Sequence, residues 1–157
     1  MISYLDKHKI ITNTQFGFRK NHSTDMAVML LYEQITSAID RNNFCAGLFI
    51  DLSKAFDTLN HNILLKKLES YGSRGSTNLL IKNYLTNRKQ YVMFSECMSD
   101  KLAVNCGVPQ GSILGPLLFI LYINDIANSS KHLEFISFAD DSTISFTHKN
   151  YYTLIKT

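Results

Sequence analysis

Apolar residues recur at helical spacing early in the chain and then give way to an unbroken apolar run. Ala27, Leu30, Leu31, Ile35, Ala38 and Ile39 fall on one helical stripe, which predicts a helix reaching about Asp40. Ser23 offers its N-cap hydroxyl and Asp25 an acid in its first turn. Arg41-Asn42-Asn43 interrupts the stripe, and Phe44 to Asp51 then reads as a strand buried on both faces. A second helix is predicted from near Asn60 to Tyr71, with Ile63, Leu64, Leu65 and Leu68 apolar and Gly72 as its stop. A third covers about Thr77 to Leu85. Gln90 to Phe94 and Leu102 to Cys106 read as a hairpin around the polar stretch Ser95 to Asp100. Gly107 to Gly111 is a turn that opens an apolar helix from about Ser112 to Ile126. After a polar loop at Asn128 to His132, Phe135-Ile136-Ser137-Phe138 and Thr143-Ile144-Ser145-Phe146 flank a second tight turn. Residues 1–22 carry no single period. The order α, β, α, α, β, β, α, β, β predicts an α+β fold, an antiparallel sheet with helices on one face.

Composition narrows the class. At 157 residues, 45% hydrophobic and 18% charged, the chain has ordinary globular character and enough length for one cored domain. A net charge of +3 tolerates a nucleic-acid partner without demanding one. The longest near-apolar stretch, Ile113 to Ile123, contains Gly115 and Pro116 and is too short to span a bilayer, so it reads as a buried helix. The N-terminus lacks the basic-then-apolar pattern of a secretory signal. Cys45, Cys97 and Cys106 show no metal or disulfide spacing. The expectation is therefore an intracellular protein of the cytoplasm or nucleus, not secreted, with neither a membrane nor a disulfide-linked partner.

The chemistry gathers at four places. Asp140-Asp141 sits between two β-forming runs, and two acids this close repel one another unless a cation neutralises them. Taken alone the pair reads more readily as an exposed turn. Asp51 ends the apolar run, where a carboxylate must be paired, bound to a metal or surfacing into a cleft. Mg²⁺ favours one or two carboxylates completed by phosphate and water. In Gly107-Val108-Pro109-Gln110-Gly111-Ser112 two glycines permit close backbone approach to a ligand, and Gln110 offers both a donor and an acceptor. In Phe16-Gly17-Phe18-Arg19-Lys20, cations beside aromatics suit phosphate oxygens or base stacking, and equally a solvated loop. His61 reads as a polar residue opening a helix. No nucleophilic triad and no phosphate-cradling G-x-x-x-x-G-K is present.

Taken in order, these segments resemble the reverse transcriptase of non-LTR (LINE-type) retrotransposons, from about Gln15 to Asp141. Gln15-Phe16-Gly17-Phe18-Arg19 with His22-Ser23-Thr24 is similar to the fingers motif, and Leu48 to Thr58 to polymerase motif A. Gly107 to Pro116 with Tyr122-Ile123-Asn124-Asp125 is similar to motif B, and Phe138-Ala139-Asp140-Asp141 to motif C. The resemblance implies a polymerase palm with part of the fingers and no thumb: residues 1–43 the fingers side, residues 44–157 the palm. It implies an RNA-directed DNA polymerase using two Mg²⁺ ions, with Mn²⁺ as a substitute. Its partners would be an RNA template, a nucleic-acid primer and deoxynucleoside triphosphates. Asp51, Asp140 and Asp141 would be the catalytic carboxylates and metal ligands, joined by the Leu52 carbonyl. Phe56 would be an aromatic gate against the ribose 2′-hydroxyl. Gln110 and Gly111 would meet the incoming nucleotide, and Arg19 the triphosphate. Strand parity puts residues 51 and 56 on opposite faces, so the gate requires the chain to leave the strand after Asp51. The competing reading is a catalytically inactive, truncated relic of such an element with at most residual nucleic-acid binding.

Overall fold

The computed structural model describes residues 1–154. Its elements are α1 (Ile2–Lys7), α2 (Thr24–Asp40), β1 (Phe44–Asp51), α3 (His61–Ser70), α4 (Ser76–Leu85), β2 (Lys89–Gln90), β3 (Met93–Phe94), β4 (Cys97–Met98), β5 (Leu102–Ala103), α5 (Leu114–Ile123), a 3-10 turn (Asn124–Asn128), β6 (Glu134–Phe138), β7 (Asp141–His148) and α6 (Tyr151–Leu154). They divide into two compact units, Met1–Ser53 with the chain from Ile123 onward, and Lys54–Tyr122.

The first unit is built on an antiparallel sheet of order β1-β7-β6. β1 pairs with β7 from Phe44 opposite His148 to Asp51 opposite Asp141. β6 pairs with β7 from Glu134 opposite Ser145 to Phe138 opposite Asp141. The N-terminal segment runs along the far edge of β6. The Phe16 amide donates to the Ser137 carbonyl at 2.7 Å, and the Ser137 amide to the Thr14 carbonyl at 2.8 Å. Asn124, 8% exposed, anchors the start of that segment by accepting the Thr12 amide at 2.9 Å and donating to the Ile10 carbonyl at 2.8 Å. α2 begins at Ser23, whose hydroxyl accepts the Met26 amide, as its sequence predicts. The helix packs on the sheet: Phe16, Ala27 and Ile136 form a buried cluster with Leu30, Leu31 and Phe138 against it. The Ser145 hydroxyl donates to Gln34 Oε1 at 3.0 Å. The α+β expectation, an antiparallel sheet carrying a helix on one face, therefore holds.

The burial of β1 departs from expectation. β1 has the predicted bounds but is not buried, with Leu48 59% and Phe49 72% exposed. A run apolar on both faces implies cover on both faces. Among the described residues β1 is instead an edge strand, paired with β7 alone.

In the second unit, Asn60 caps α3 by accepting the amides of Asn62 and Ile63. Leu64 and Leu68 of α3 are buried, as are Ile81 and Leu85 of α4, and the two helices pack together. The predicted hairpin is two nested ladders, β2 with β5 outside and β3 with β4 inside. Between them Ser99 takes over the pairing: its amide donates to the Val92 carbonyl and its hydroxyl accepts the Val92 amide, each at 2.9 Å. α5 starts later than predicted because Ser112 caps it, accepting the Gly115 amide at 3.0 Å. Leu118, Phe119, Ile120 and Leu121 of α5 are all buried, which suits a helix with no polar face. No helix among the described residues is long and apolar enough to cross a membrane. The three cysteines are free, and burial, reinforced by Glu134, pushes the Cys45 thiol up.

Candidate active site

The strand register brings the acids together. Asp51, the last residue of β1, stands directly opposite Asp141, the first residue of β7. Opposed residues of an antiparallel pair point to the same face, with Cβ atoms about 5 Å apart. Asp140 lies beside them in the two-residue turn, Ala139-Asp140, that joins β6 to β7. Ala139 has φ +58° while Asp140 does not take a positive φ, the pattern of a type II′ hairpin. Asp51 and Asp141 are exposed and Asp140 is half-buried. Beside Asp141 a cavity of about 220 Å³ opens under the start of α2, lined by Val28, Leu31, Phe49, Phe138 and Thr143.

This donor set suits a hard divalent cation. It offers carboxylate oxygens alone, two of them facing across one strand pair, at an exposed strand end where water and phosphate have access. Without a cation, like charges directly opposite one another oppose the pairing of their strands. Among the described residues no three acidic, histidine or cysteine side chains already converge on one point, so an ion would have to draw these carboxylates in.

The Ala139 turn is gripped by residues far away in sequence. Gln15, 2% exposed, accepts the Ala139 amide at 3.0 Å and the Gly17 amide at 2.7 Å through one oxygen. Its amide nitrogen lies 3.5 Å from the Ala139 carbonyl. A Cβ on Gly17 would sit 2.2 Å from the Ala139 nitrogen, so only glycine fits there. Arg19 serves the same loop: its Nη1 donates to the carbonyls of Thr12 at 2.8 Å and Gln15 at 2.9 Å. Burial lowers the Arg19 pKa, an effect that Asp6 partly offsets. Arg19, expected to meet a triphosphate, thus has one of its nitrogens committed to main-chain carbonyls.

The chain leaves the strand after Asp51, as the gate position requires, and residues 53–57 form turns. In the second unit the Phe56 ring packs against Phe119 with centroids 4.7 Å apart. Residues 56–61 and 106–110 are tied together there. The Val108 amide donates to the Phe56 carbonyl and the Gly107 amide to the Leu59 carbonyl, each at 2.8 Å. Gln110 Nε2 donates to Asp57 Oδ1 at 3.0 Å. Gly107, at φ +77°, lies so close to Asp57 that a Cβ would fall 2.7 Å from its carbonyl oxygen. His61 does more than open α3: it is 9% exposed, with Nε2 2.7 Å from the Gly107 carbonyl. A cavity of about 610 Å³ opens beside this strap, lined by Lys54, Asp57, Arg88, Gln90, Gly107 and Gln110 among others.

Gln15, Asp57 and His61 were not assigned these contacts from the sequence. Gln15 was visible only as part of a motif, and His61 only as a helix opener. For Asp57, a carboxylate six residues beyond Asp51 and facing a glutamine-bearing loop was the available signal.

Known proteins resemble this chain in sequence and in fold. The family described as Reverse transcriptase (RNA-dependent DNA polymerase) matches residues 1–156. Among curated proteins, the probable RNA-directed DNA polymerase from transposon X-element of Drosophila melanogaster is 35% identical over 150 residues. That match covers 93% of this chain and 16% of the relative. The probable RNA-directed DNA polymerase from transposon BS of the same fly is 35% identical over 122 residues, 78% of this chain and 13% of the relative. The RNA-directed DNA polymerase from mobile element jockey of Drosophila funebris is 33% identical over 122 residues, again 78% and 13%. The chain thus spans 13% to 16% of the length of these curated relatives. Among solved structures, telomerase from Candida tropicalis in complex with a TWJ fragment of telomeric RNA superposes with a TM-score of 0.73. It shares 13% identity and covers 99% of this chain and 29% of that one. The apo form, truncated from its C-terminal domain, gives 0.67 at 14% identity, covering 99% and 33%. At such identities the likeness shows the fold, which is that of a polymerase palm fragment.

Proposed function

This chain belongs to the reverse transcriptase family, of the kind carried by non-LTR retrotransposons, and from that premise we propose that it is the metal-bearing part of an RNA-directed DNA polymerase. The observation that carries the proposal is the placement of Asp51 opposite Asp141, with Asp140 in the adjoining turn. In this reading residues 1–43 are the fingers side and residues 44–157 the palm. Asp51, Asp140 and Asp141, with the Leu52 carbonyl, would hold two Mg²⁺ ions, or Mn²⁺ in their place. When bound, the ions lower the pKa of the primer 3′-hydroxyl and neutralise charge on the leaving pyrophosphate.

The chain's own residues position the reactants. The strand pair sets the spacing of Asp51 and Asp141, and the two-residue turn fixes where Asp140 projects. Gln110, restrained by Asp57, and Gly111 would meet the incoming deoxynucleoside triphosphate on an RNA template. Phe56, its ring steadied by Phe119, would block the ribose 2′-hydroxyl. The nitrogens of Arg19 other than Nη1 would reach toward the triphosphate. Nucleotidyl transfer of this kind depends mainly on positioning and on electrostatics.

Primer extension on an RNA template with Mg²⁺ tests the proposal, comparing the chain with Asp140→Ala. Extension by the chain that falls to background in the variant is expected. Equal extension by both would remove Asp140 from the mechanism, and absence in both would overturn the claim that this polypeptide is active by itself.

A further inference from the structure

We propose that Gln15 is a positioning residue for Asp140. The inference rests on the reading of the three acids as a metal site and extends it to a side chain that touches none of them. A two-residue hairpin of the II′ type prefers glycine at its first position, where φ is positive. This chain has Ala139 there instead, at φ +58° and 5% exposed. A non-glycine residue held in such a conformation persists only where its surroundings determine it.

Gln15 supplies that determination. Its one oxygen takes the amides of Ala139 and Gly17, so the turn and the N-terminal loop share an acceptor. Its own main chain is fixed from the other side, because the Gln15 carbonyl accepts from Arg19 and the flanking residues pair with Ser137. Gly17, lacking a Cβ, lets the loop lie against Ala139. The loop is thus fastened to β6 by backbone pairing and to the turn by one side chain. Asp140 is the next residue along, and its Cα position follows from the Ala139 peptide planes. A glutamine suits the place: its neutral amide is satisfied in a buried site, where a glutamate would add another like charge near the acids and bury it.

The test uses amide exchange and Mn²⁺ titration, both followed by NMR on the chain. Gln15→Met keeps length and volume while removing the acceptor. Ala139 amide exchange is expected to accelerate about tenfold. The Ser137 amide, which donates to the Thr14 backbone, should keep its protection and so report an intact sheet. The Mn²⁺ concentration for half-broadening of the Asp140 amide is expected to rise about tenfold, the usual scale for losing an outer partner of a metal ligand. Gly17→Ala, which drives a Cβ into the same turn with Gln15 intact, should shift the Mn²⁺ dependence in the same direction. Unchanged Ala139 exchange in Gln15→Met, or an unchanged Mn²⁺ midpoint in both variants, would overturn the positioning role. A wild-type chain whose Asp140 signal never broadens saturably would instead overturn the metal site, and the exchange measurement would still judge the grip on the turn.

Discussion

At the scale of single residues, Phe56 carries the sharpest consequence. Its ring is packed against Phe119, so in the proposed gate it would be a fixed obstacle rather than a mobile one. A steric gate works by leaving no room for one oxygen, and removing the ring opens that room. Phe56→Ala should therefore raise incorporation of ribonucleotides relative to deoxyribonucleotides by roughly 10- to 100-fold, the scale on which apolar pockets discriminate. Single-nucleotide incorporation with each triphosphate measures the ratio, and an unchanged ratio would remove the gate from Phe56. The three aspartates could be singled out as candidates in the sequence from residue type and strand context, and Phe56 from the family resemblance. Gln15 and His61 could not, because their partners are set by tertiary structure. Gln15 meets Ala139 across 124 positions and His61 meets Gly107 across 46. No local pattern encodes either contact, and each side chain has common uses elsewhere. Arg19 shows the converse, since a basic residue beside aromatics reads equally as a ligand contact and as the brace of its own loop.

At the scale of elements, the sequence was legible wherever local chemistry sets the boundary. Ser23 and Asn60 cap the helices they were expected to cap or open, and Gly72 follows α3 with φ +90°. Where environment decides, it was not. β1 was placed to the residue, yet its burial was misread, because cover comes from neighbours that the strand itself does not specify. The consequence is physical. An edge strand presents unpaired amides and carbonyls, and β1 adds exposed Phe44, Leu48 and Phe49. Such an edge is a template for pairing with another copy. The chain should therefore self-associate as its concentration rises, and Leu48→Lys, which sets a charge beside that edge, should suppress this while leaving helix and strand content intact. Sedimentation velocity over a concentration series decides it. A wild-type chain that stays monomeric throughout would show that the edge is protected in solution.

At the scale of the whole molecule, charge and stability are linked through the three acids. The chain holds 16 basic and 13 acidic residues, nearly balanced, so net charge does little to draw in a polyanion. Three of the acids nevertheless lie near one strand end, two of them directly opposed, and like charges so placed oppose the strand pairing. Any cation that binds the folded chain and not the unfolded one must then stabilise it. Mg²⁺ at ten times its dissociation constant would contribute about 1.4 kcal/mol, by RT ln(1 + [L]/Kd). For a domain of this size that raises Tm by roughly 3 to 6 °C. Asp51→Asn removes one charge of the opposed pair. Without divalent ions the variant should unfold at a higher temperature than the wild type, with a gain of about 0.2 to 1 kcal/mol. With Mg²⁺ its increment should shrink, because a ligand is gone. The two effects have opposite signs, so a loss of packing cannot mimic both. Thermal unfolding at constant ionic strength, with and without Mg²⁺, reads them together. Equal Mg²⁺ increments in the two chains would mean that the ion binds elsewhere, and a less stable Asp51→Asn would mean that Asp51 makes a favourable contact that outweighs its repulsion by Asp141.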